Sequence, residues 1–257
     1  MPVTVSQLAI APVKGMRLRL TSAIRLGQHG VIGDREFLVI GPDGKLLLTS
    51  RTPALLDIEP VWDRARDVLA LRFPDGRVVQ DTPQPGAAAV TRMYDGREVP
   101  GWVIPGPLSG ALSGYLGREV HLFKRGPEQL GPDDQPVTLM SEASLTALAP
   151  EFNGAAPDPR RFRMTITMTG TPAWAEHGWG GQKVRIGEAT LRVIAPVPRC
   201  VVTTRNPDSG ATDARVLHAL ARLRGKNDIT FGVWSDIIRP GRIHVGDLVA
   251  GPESLTG

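Results

Sequence analysis

The chain reads as a mostly β protein with peripheral helices, divided into two small domains. Its 29 glycines and 23 prolines among 257 residues break long helices and multiply turns. Its apolar runs are short and are bounded by Gly, Pro and Asp, as strands are. Only one segment, residues 214–224, carries a convincing amphipathic helical period.

The elements follow in order. Residues 3–10 alternate loosely, and 24–26 form a short apolar run. Residues 36–40 lead into Gly41-Pro42-Asp43-Gly44 and then 45–49, the pattern of two strands across a tight hairpin turn. Residues 57–62, 68–73 and 77–80 repeat it, the last two joined across Pro74-Asp75-Gly76, so the first half is expected to be a β-meander or small barrel. Leu108, Leu112 and Leu116 at i, i+4 and i+8 predict a helix over 107–116, with Gly106, Gly110 and Gly114 as a close packing face and a strand over 119–123 to follow. The Gly-, Pro- and Asp-rich stretch 124–136 is the expected boundary, giving domains 1–125 and 126–257. Beyond it, Ser141 caps a short helix over 141–148 with Ser144 one turn in. Residues 163–169, 190–194, 201–204 and 229–238 are predicted strands.

Composition narrows the function. The single cysteine excludes an intramolecular disulfide and any Cys-only zinc or iron–sulfur centre within one copy. Neither a signal peptide nor a stretch of transmembrane length is evident, so a cytoplasmic chain with no membrane partner is expected. The 30 basic against 26 acidic residues are scattered, a balance that suits a small anionic ligand. With no zinc finger, RNA-binding aromatic motif or Lys/Arg tract, nucleic acid is not an expected partner. There is also no phosphate-binding Gly-x-x-x-x-Gly-Lys-Ser/Thr loop, no dinucleotide Gly-x-Gly-x-x-Gly, no His-Glu-x-x-His and no Gly-x-Ser-x-Gly elbow. His29, His121, His177, His218 and His244 lie far apart and show no metal-ligand spacing; each reads as a surface or structural histidine.

That leaves Cys200, in Pro198-Arg199-Cys200-Val201-Val202, with two local readings. Apolar Val201 and Val202 suit an inert, packed cysteine. Arg199 suits a reactive one, since an adjacent cation favours the thiolate that attacks electrophiles or binds soft metals. Lys14, Arg35 and Arg51 sit in turn-like contexts beside Gly and Pro, either as anion-gathering groups exposed in a cleft or as ordinary solvated charges; Arg161 and Arg163 share the ambiguity.

Taken in order, these pieces resemble the MOSC family, named for the C-terminal domain of molybdenum cofactor sulfurases, together with its companion N-terminal β-barrel domain. The first half is similar at Pro12-Val13-Lys14-Gly15, Gly30-Val31-Ile32-Gly33-Asp34-Arg35 and Ser50-Arg51. The second is similar at Ser141-Glu142-Ala143-Ser144-Leu145, Arg161-Phe162-Arg163, Glu176-His177-Gly178-Trp179, Pro198-Arg199-Cys200, Phe231-Gly232 and Pro240 to Asp247. The resemblance implies two β-barrel domains with the cofactor in the cleft between them. It also implies that Cys200 is ligand to the molybdenum of a pyranopterin dithiolene, where a soft thiolate completes a sulfur-rich sphere. Lys14, Arg35, Arg51, Arg163 and Arg199 would then meet the cofactor's phosphate and pterin groups, and Ser141, Glu142 and Ser144 would line it. Where the family usually reads Arg-Phe-Arg-x-Asn, this chain has Thr165, which keeps a donor and an acceptor but loses the amide's fork.

The activity so implied is reduction of a small N-hydroxylated substrate. Because the chain shows no haem-attachment or dinucleotide motif of its own, electrons are expected from a separate ferredoxin-type or flavin reductase. The alternatives are a sulfur-transfer protein carrying a persulfide on Cys200, which needs a separate sulfur source, and a non-catalytic cofactor carrier.

Overall fold

The computed structural model describes residues 2–126 and 135–253. The expected boundary at 124–136 falls largely on 127–134, outside the described residues. Strands come first: β1 (Thr4–Ile10), β2 (Arg19–Thr21), β3 (Ala23–Leu26), β4 (Phe37–Ile40), then β5 (Glu59–Asp63), β6 (Val68–Arg72) and β7 (Val78–Asp81). In β6 the alternation buries Leu69 and Leu71, each worth roughly 1.5–3 kcal/mol when fully removed from water.

The sequence missed β8 (Ala88–Arg92) and β9 (Glu98–Ile104), whose Ala, Thr and Pro blur the apolar signal. They precede helix α1 (Pro107–Leu116) and β10 (His121–Arg125), and with β10 they build a sheet ordered β4-β10-β9-β8. The expected strand over 45–49 is absent. The hairpin closes with one isolated bridge, Ile40 to Leu46, because the edge of β4 that faces away from β10 is shared with residues 12–14, which bond to Phe37. The glycine face of α1 is also corrected: Gly110 and Gly114 look onto open space, while Leu108, Ser109 and Leu112 are buried. Two residues out of step with the leucines, the glycines lie about 200° round the helix from them.

The second half supplies β11 (Val137–Ser141), α2 (Glu142–Thr146), β12 (Ile166–Thr169), β13 (Lys183–Ile186), β14 (Ala189–Pro198), α3 (Val216–Arg224), β15 (Thr230–Arg239), β16 (Gly241–His244) and β17 (Val249–Glu253). Residues 201–204, predicted as a strand, form a 3-10 turn instead. Thr203 and Thr204 donate their hydroxyls to Cys200 and Val201 carbonyls three residues back, which curls the chain.

The largest sheet is ordered β17-β13-β14-β15-β11-β12-β1-β2, with only β11 and β12 parallel. It takes β1 and β2 from the first half of the sequence, and β3 pairs with β16. The main core joins Val5, Leu8, Ile24 and Leu26 to Leu139, Ile166, Leu191 and Val233. A second core, around Phe37, Leu55, Leu69 and Leu122, lies wholly in the first half. The first half is thus not a self-contained meander: its first three strands complete sheets of the second.

Gly232, in β15, has φ +67, and a Cβ there would lie 2.6 Å from the Leu139 carbonyl oxygen and 2.4 Å from Met164 Cε. Gly232→Ala should therefore lower stability by about 2–4 kcal/mol, read as a lower urea midpoint. An unchanged midpoint would mean that β15 and β11 separate easily.

Candidate functional site

Three arginines tie the 3-10 turn Pro159–Phe162 and the residue after it to the rest of the molecule. Arg163 has a left-handed backbone, φ 55, and its Nη2 donates to the Met16 carbonyl at 2.8 Å. Arg35 Nη2 donates to the Arg163 carbonyl at 3.2 Å. Arg199 Nη2 donates to the Phe162 carbonyl, and its guanidinium lies 5.7 Å from the Phe162 ring centre. These bonds bring the Lys14–Met16 segment, Arg35, Arg163, Arg199 and, next in sequence, Cys200 to one place.

Cys200 is exposed. It caps the 3-10 turn Val201–Thr204 through its carbonyl, which accepts from Thr203 N at 3.1 Å and Thr203 Oγ1 at 2.9 Å. Its backbone is therefore fixed while its thiol is reachable. The inert, packed reading of Cys200 does not hold. Beneath it Phe162 stacks on Phe231 at 4.0 Å, and Trp174 meets Phe231 edge-on at 5.6 Å.

Arg35 departs from its expected setting. It is buried, and its Nη1 lies 2.5 Å from Asp34 Oδ2, while Asp34 Oδ1 accepts from Ala11 N at 2.7 Å. It is a structural ion pair rather than an exposed cleft charge. Lys14 is half-buried, with its amide bonded to the Phe37 carbonyl at 2.8 Å. Arg51 is exposed in a turn, and none of the described residues links its side chain to this cluster.

Ser141 and Ser144 are fully buried. Ser144 Oγ donates to Glu176, with Oε1 and Oε2 at 2.8 and 3.0 Å, and accepts from Trp174 N at 2.7 Å. Ser141 N donates to Glu176 Oε1 at 3.3 Å. Their polar groups are thus spent on a buried carboxylate, whereas Glu142, on the same short helix, is exposed. Burial raises the Glu176 pKa above its ordinary value, and the bonds from Ser144 and Ser141 and the charge of Arg224 oppose that rise. Thr165 is buried too: its amide donates to Thr138 Oγ1 at 2.9 Å, and the two hydroxyls lie 3.2 Å apart.

The loop after Cys200 is held by further arginines. Arg160 binds Asp208 through two bonds of 2.8 and 2.7 Å, and Arg161 binds the Arg205 carbonyl and Asp213. Arg17, from the first half, donates to the Asp208 carbonyl at 2.6 Å.

Two family models match the chain. The model described as MOSC N-terminal beta barrel domain matches residues 2–95, and that described as MOSC domain matches residues 126–250. The chain belongs to the MOSC family. Mitochondrial amidoxime-reducing component 1 of Xenopus laevis is 29% identical, covering 95% of this chain and 81% of its own; the Homo sapiens protein of that name is 27% identical over 96% and 82%. Molybdenum cofactor sulfurase of Bos taurus is 22% identical over 95% of this chain, which spans 32% of the sulfurase. Among solved structures, the YuaD protein of Bacillus subtilis aligns with a TM-score of 0.48 and 13% identity, covering 97% of this MOSC chain and 94% of its own.

Sequence reasoning gave no role to Glu176, Asp34 or Thr138, and read His177 as a surface or structural histidine. Asp34 and Glu176 stood inside quoted motifs, yet nothing in local sequence marks a carboxylate as buried. His177 packs edge-on to Trp174 at 5.5 Å, and neither ring nitrogen has a hydrogen-bond partner among the described residues. Burial and the charge of Arg224 push its pKa down from 6.5 to about 4, against the attraction of Asp228.

Two predictions follow from this geometry. Arg35→Ala takes the contacting guanidinium from buried Asp34 and leaves it with the Ala11 amide and the nearby Arg125 charge, so it should cost about 3–5 kcal/mol in urea unfolding of cofactor-free protein, whereas Lys14→Ala should cost under about 1 kcal/mol. Equal costs would remove the distinction between the two. Between pH 6.5 and about 4 the unfolded chain holds a proton on His177 that the folded chain lacks, so stability present at neutral pH is lost as pH falls through that window. Glu176, with its raised value, acts in the opposite sense. His177→Gln should therefore flatten the acid-side loss by about 2 kcal/mol in urea midpoints taken across the window; a profile as steep as the parent's would assign the loss to other groups.

Proposed function

We propose that this chain is a molybdenum-cofactor-binding reductase of N-hydroxylated small molecules, recharged by a separate electron-donor protein. The observation that carries the reading is the exposed thiol of Cys200 beside Arg199, at the point where Arg163 and Arg35 join the two halves. The relatives named amidoxime-reducing components support a reductase, and the relative named molybdenum cofactor sulfurase supports a link to that cofactor.

The donor set fits such a group. Cys200 offers the soft thiolate that molybdenum takes, on a backbone already pinned by Thr203. Lys14, Arg163 and Arg199 would hold the phosphate and the pterin, supported from beneath by Arg35, and Glu142 is the exposed carboxylate available to pterin N–H groups. Ser141, Ser144 and Thr165 would act through the backbone they position, because their hydroxyls already serve the Ser144 amide, Glu176 and Thr138 respectively. When bound, the cofactor would supply the two-electron chemistry that removes oxygen from the substrate nitrogen. The chain's own contribution is orientation. The aromatic stack fixes Phe162 and with it Arg199, and arginines tether the loop 205–213 that follows the Cys200 turn.

A second reading rests on the same exposure: a thiol open to solvent also suits transient persulfide carriage, as the sulfurase relative's name suggests. Elemental analysis and intact mass of purified protein separate the two, by bound molybdenum in one case and an added sulfur in the other.

Cys200→Ser should fold with an unchanged urea midpoint, lose bound molybdenum, and reduce an N-hydroxylated base at least about 100-fold more slowly with a viologen donor. Turnover by the parent should need viologen or a ferredoxin-type or flavin reductase and stay negligible with NADH or NADPH alone. Full activity of Cys200→Ser, or rapid turnover with a nicotinamide alone, would overturn the proposal.

A further inference from the structure

Away from the thiol, β3 and β16 form a two-stranded ribbon in which Arg25 and Arg242 stand directly opposite one another. Like charges so placed repel. Both residues are exposed, and among the described residues neither guanidinium has an acidic side chain within ion-pair distance. Glu188 lies close, but its Oε2 accepts from the Arg242 main-chain N–H at 2.9 Å and so is pinned to the backbone.

The two arginines, with Leu26, Glu188, Pro240 and Gly241, line a cavity of about 230 Å³. Its floor is preformed. Glu188 N donates to the Arg242 carbonyl at 3.0 Å, closing a reciprocal pair with the bond just described. A Cβ on Gly241 would lie 2.7 Å from Glu188 C and 2.9 Å from Ala189 N, so the two turns meet backbone to backbone. With two guanidiniums and one carboxylate the cavity keeps a net positive charge, and none of the residues assigned to the thiol site lines it.

We propose that this cavity binds a small phosphate-bearing anion, bridged between Arg25 and Arg242. A single carboxylate satisfies one guanidinium fork, whereas a diphosphate or phosphate ester has oxygens for both, and its charge offsets the repulsion that the ribbon otherwise carries. Exposed Pro240 gives the apolar surface against which an organic substituent would rest.

The test uses inorganic pyrophosphate at constant ionic strength, with thermal unfolding and amide chemical shifts as readouts. Pyrophosphate should raise the parent Tm in a saturable way and shift the Gly241 and Arg242 amides. Arg25→Gln and Arg242→Gln should each weaken binding about tenfold. The double variant should lose the saturable response while its ligand-free Tm stays level or rises by roughly 1–3 °C, as expected when opposed like charges are removed. Arg66→Gln, in an exposed turn elsewhere, should respond like the parent. An undiminished Tm response in the double variant would place the anion at another site, such as that of Lys14 and Arg163. That outcome, or no saturable response in the parent, would overturn the proposal without touching the role of Cys200.

Discussion

The guanidinium of Arg35 is the joint on which the thiol site depends. It is buried against Asp34, which itself fixes the Ala11 amide, and it reaches across to the carbonyl of Arg163. A buried charge cannot drift, because leaving its partners would strand it in a medium that does not solvate it. Main-chain bonds join the segment 11–14 to the loop 34–37, and the Arg35 side chain sets that pair relative to the turn at 162–163. Arg163 returns the connection by bonding to Met16, so the cross-link is reciprocal.

Below that joint, the site contrasts a reachable thiol with polar groups that are spoken for. Ser144 has one proton to give and gives it to Glu176, and Trp174 N occupies an acceptor position on the same oxygen. This buried network positions the start of α2, leaving Glu142 at the surface as its contribution toward a ligand. The aromatic column of Phe162, Phe231 and Trp174 performs a similar service for Arg199.

Much of this was legible in the sequence, and the misses have physical causes. Helices α1 and α3 and the cap at Ser141 were readable because periodicity and capping are local signals. Residues 201–204 were misread because β-branched Val and Thr favour strands, while Thr203 and Thr204 used their hydroxyls on the backbone instead. The strand expected at 45–49 failed because the available edge of β4 is shared with residues 12–14, more than thirty residues back. The family resemblance picked out Cys200 and its arginines. It could not tell an exposed cation from one buried in an ion pair, so Arg35, Ser141 and Ser144 changed character once their neighbours were in view. Glu176 and Thr138 matter through partners more than twenty residues away, and no local pattern encodes that.

The placement of β1 also has a consequence for the birth of the molecule. Its neighbours in the large sheet are β2, close behind it, and β12, separated from it by some 160 residues, as the Ser6 to Thr167 bond spans. At ordinary rates of synthesis that interval is about 10–30 s. Through it, Val5 and Leu8 wait with no sheet to enter and β1 keeps an open edge. The nascent chain therefore passes through a sticky adolescence, in which β1 waits some 160 residues for the strand that seats it.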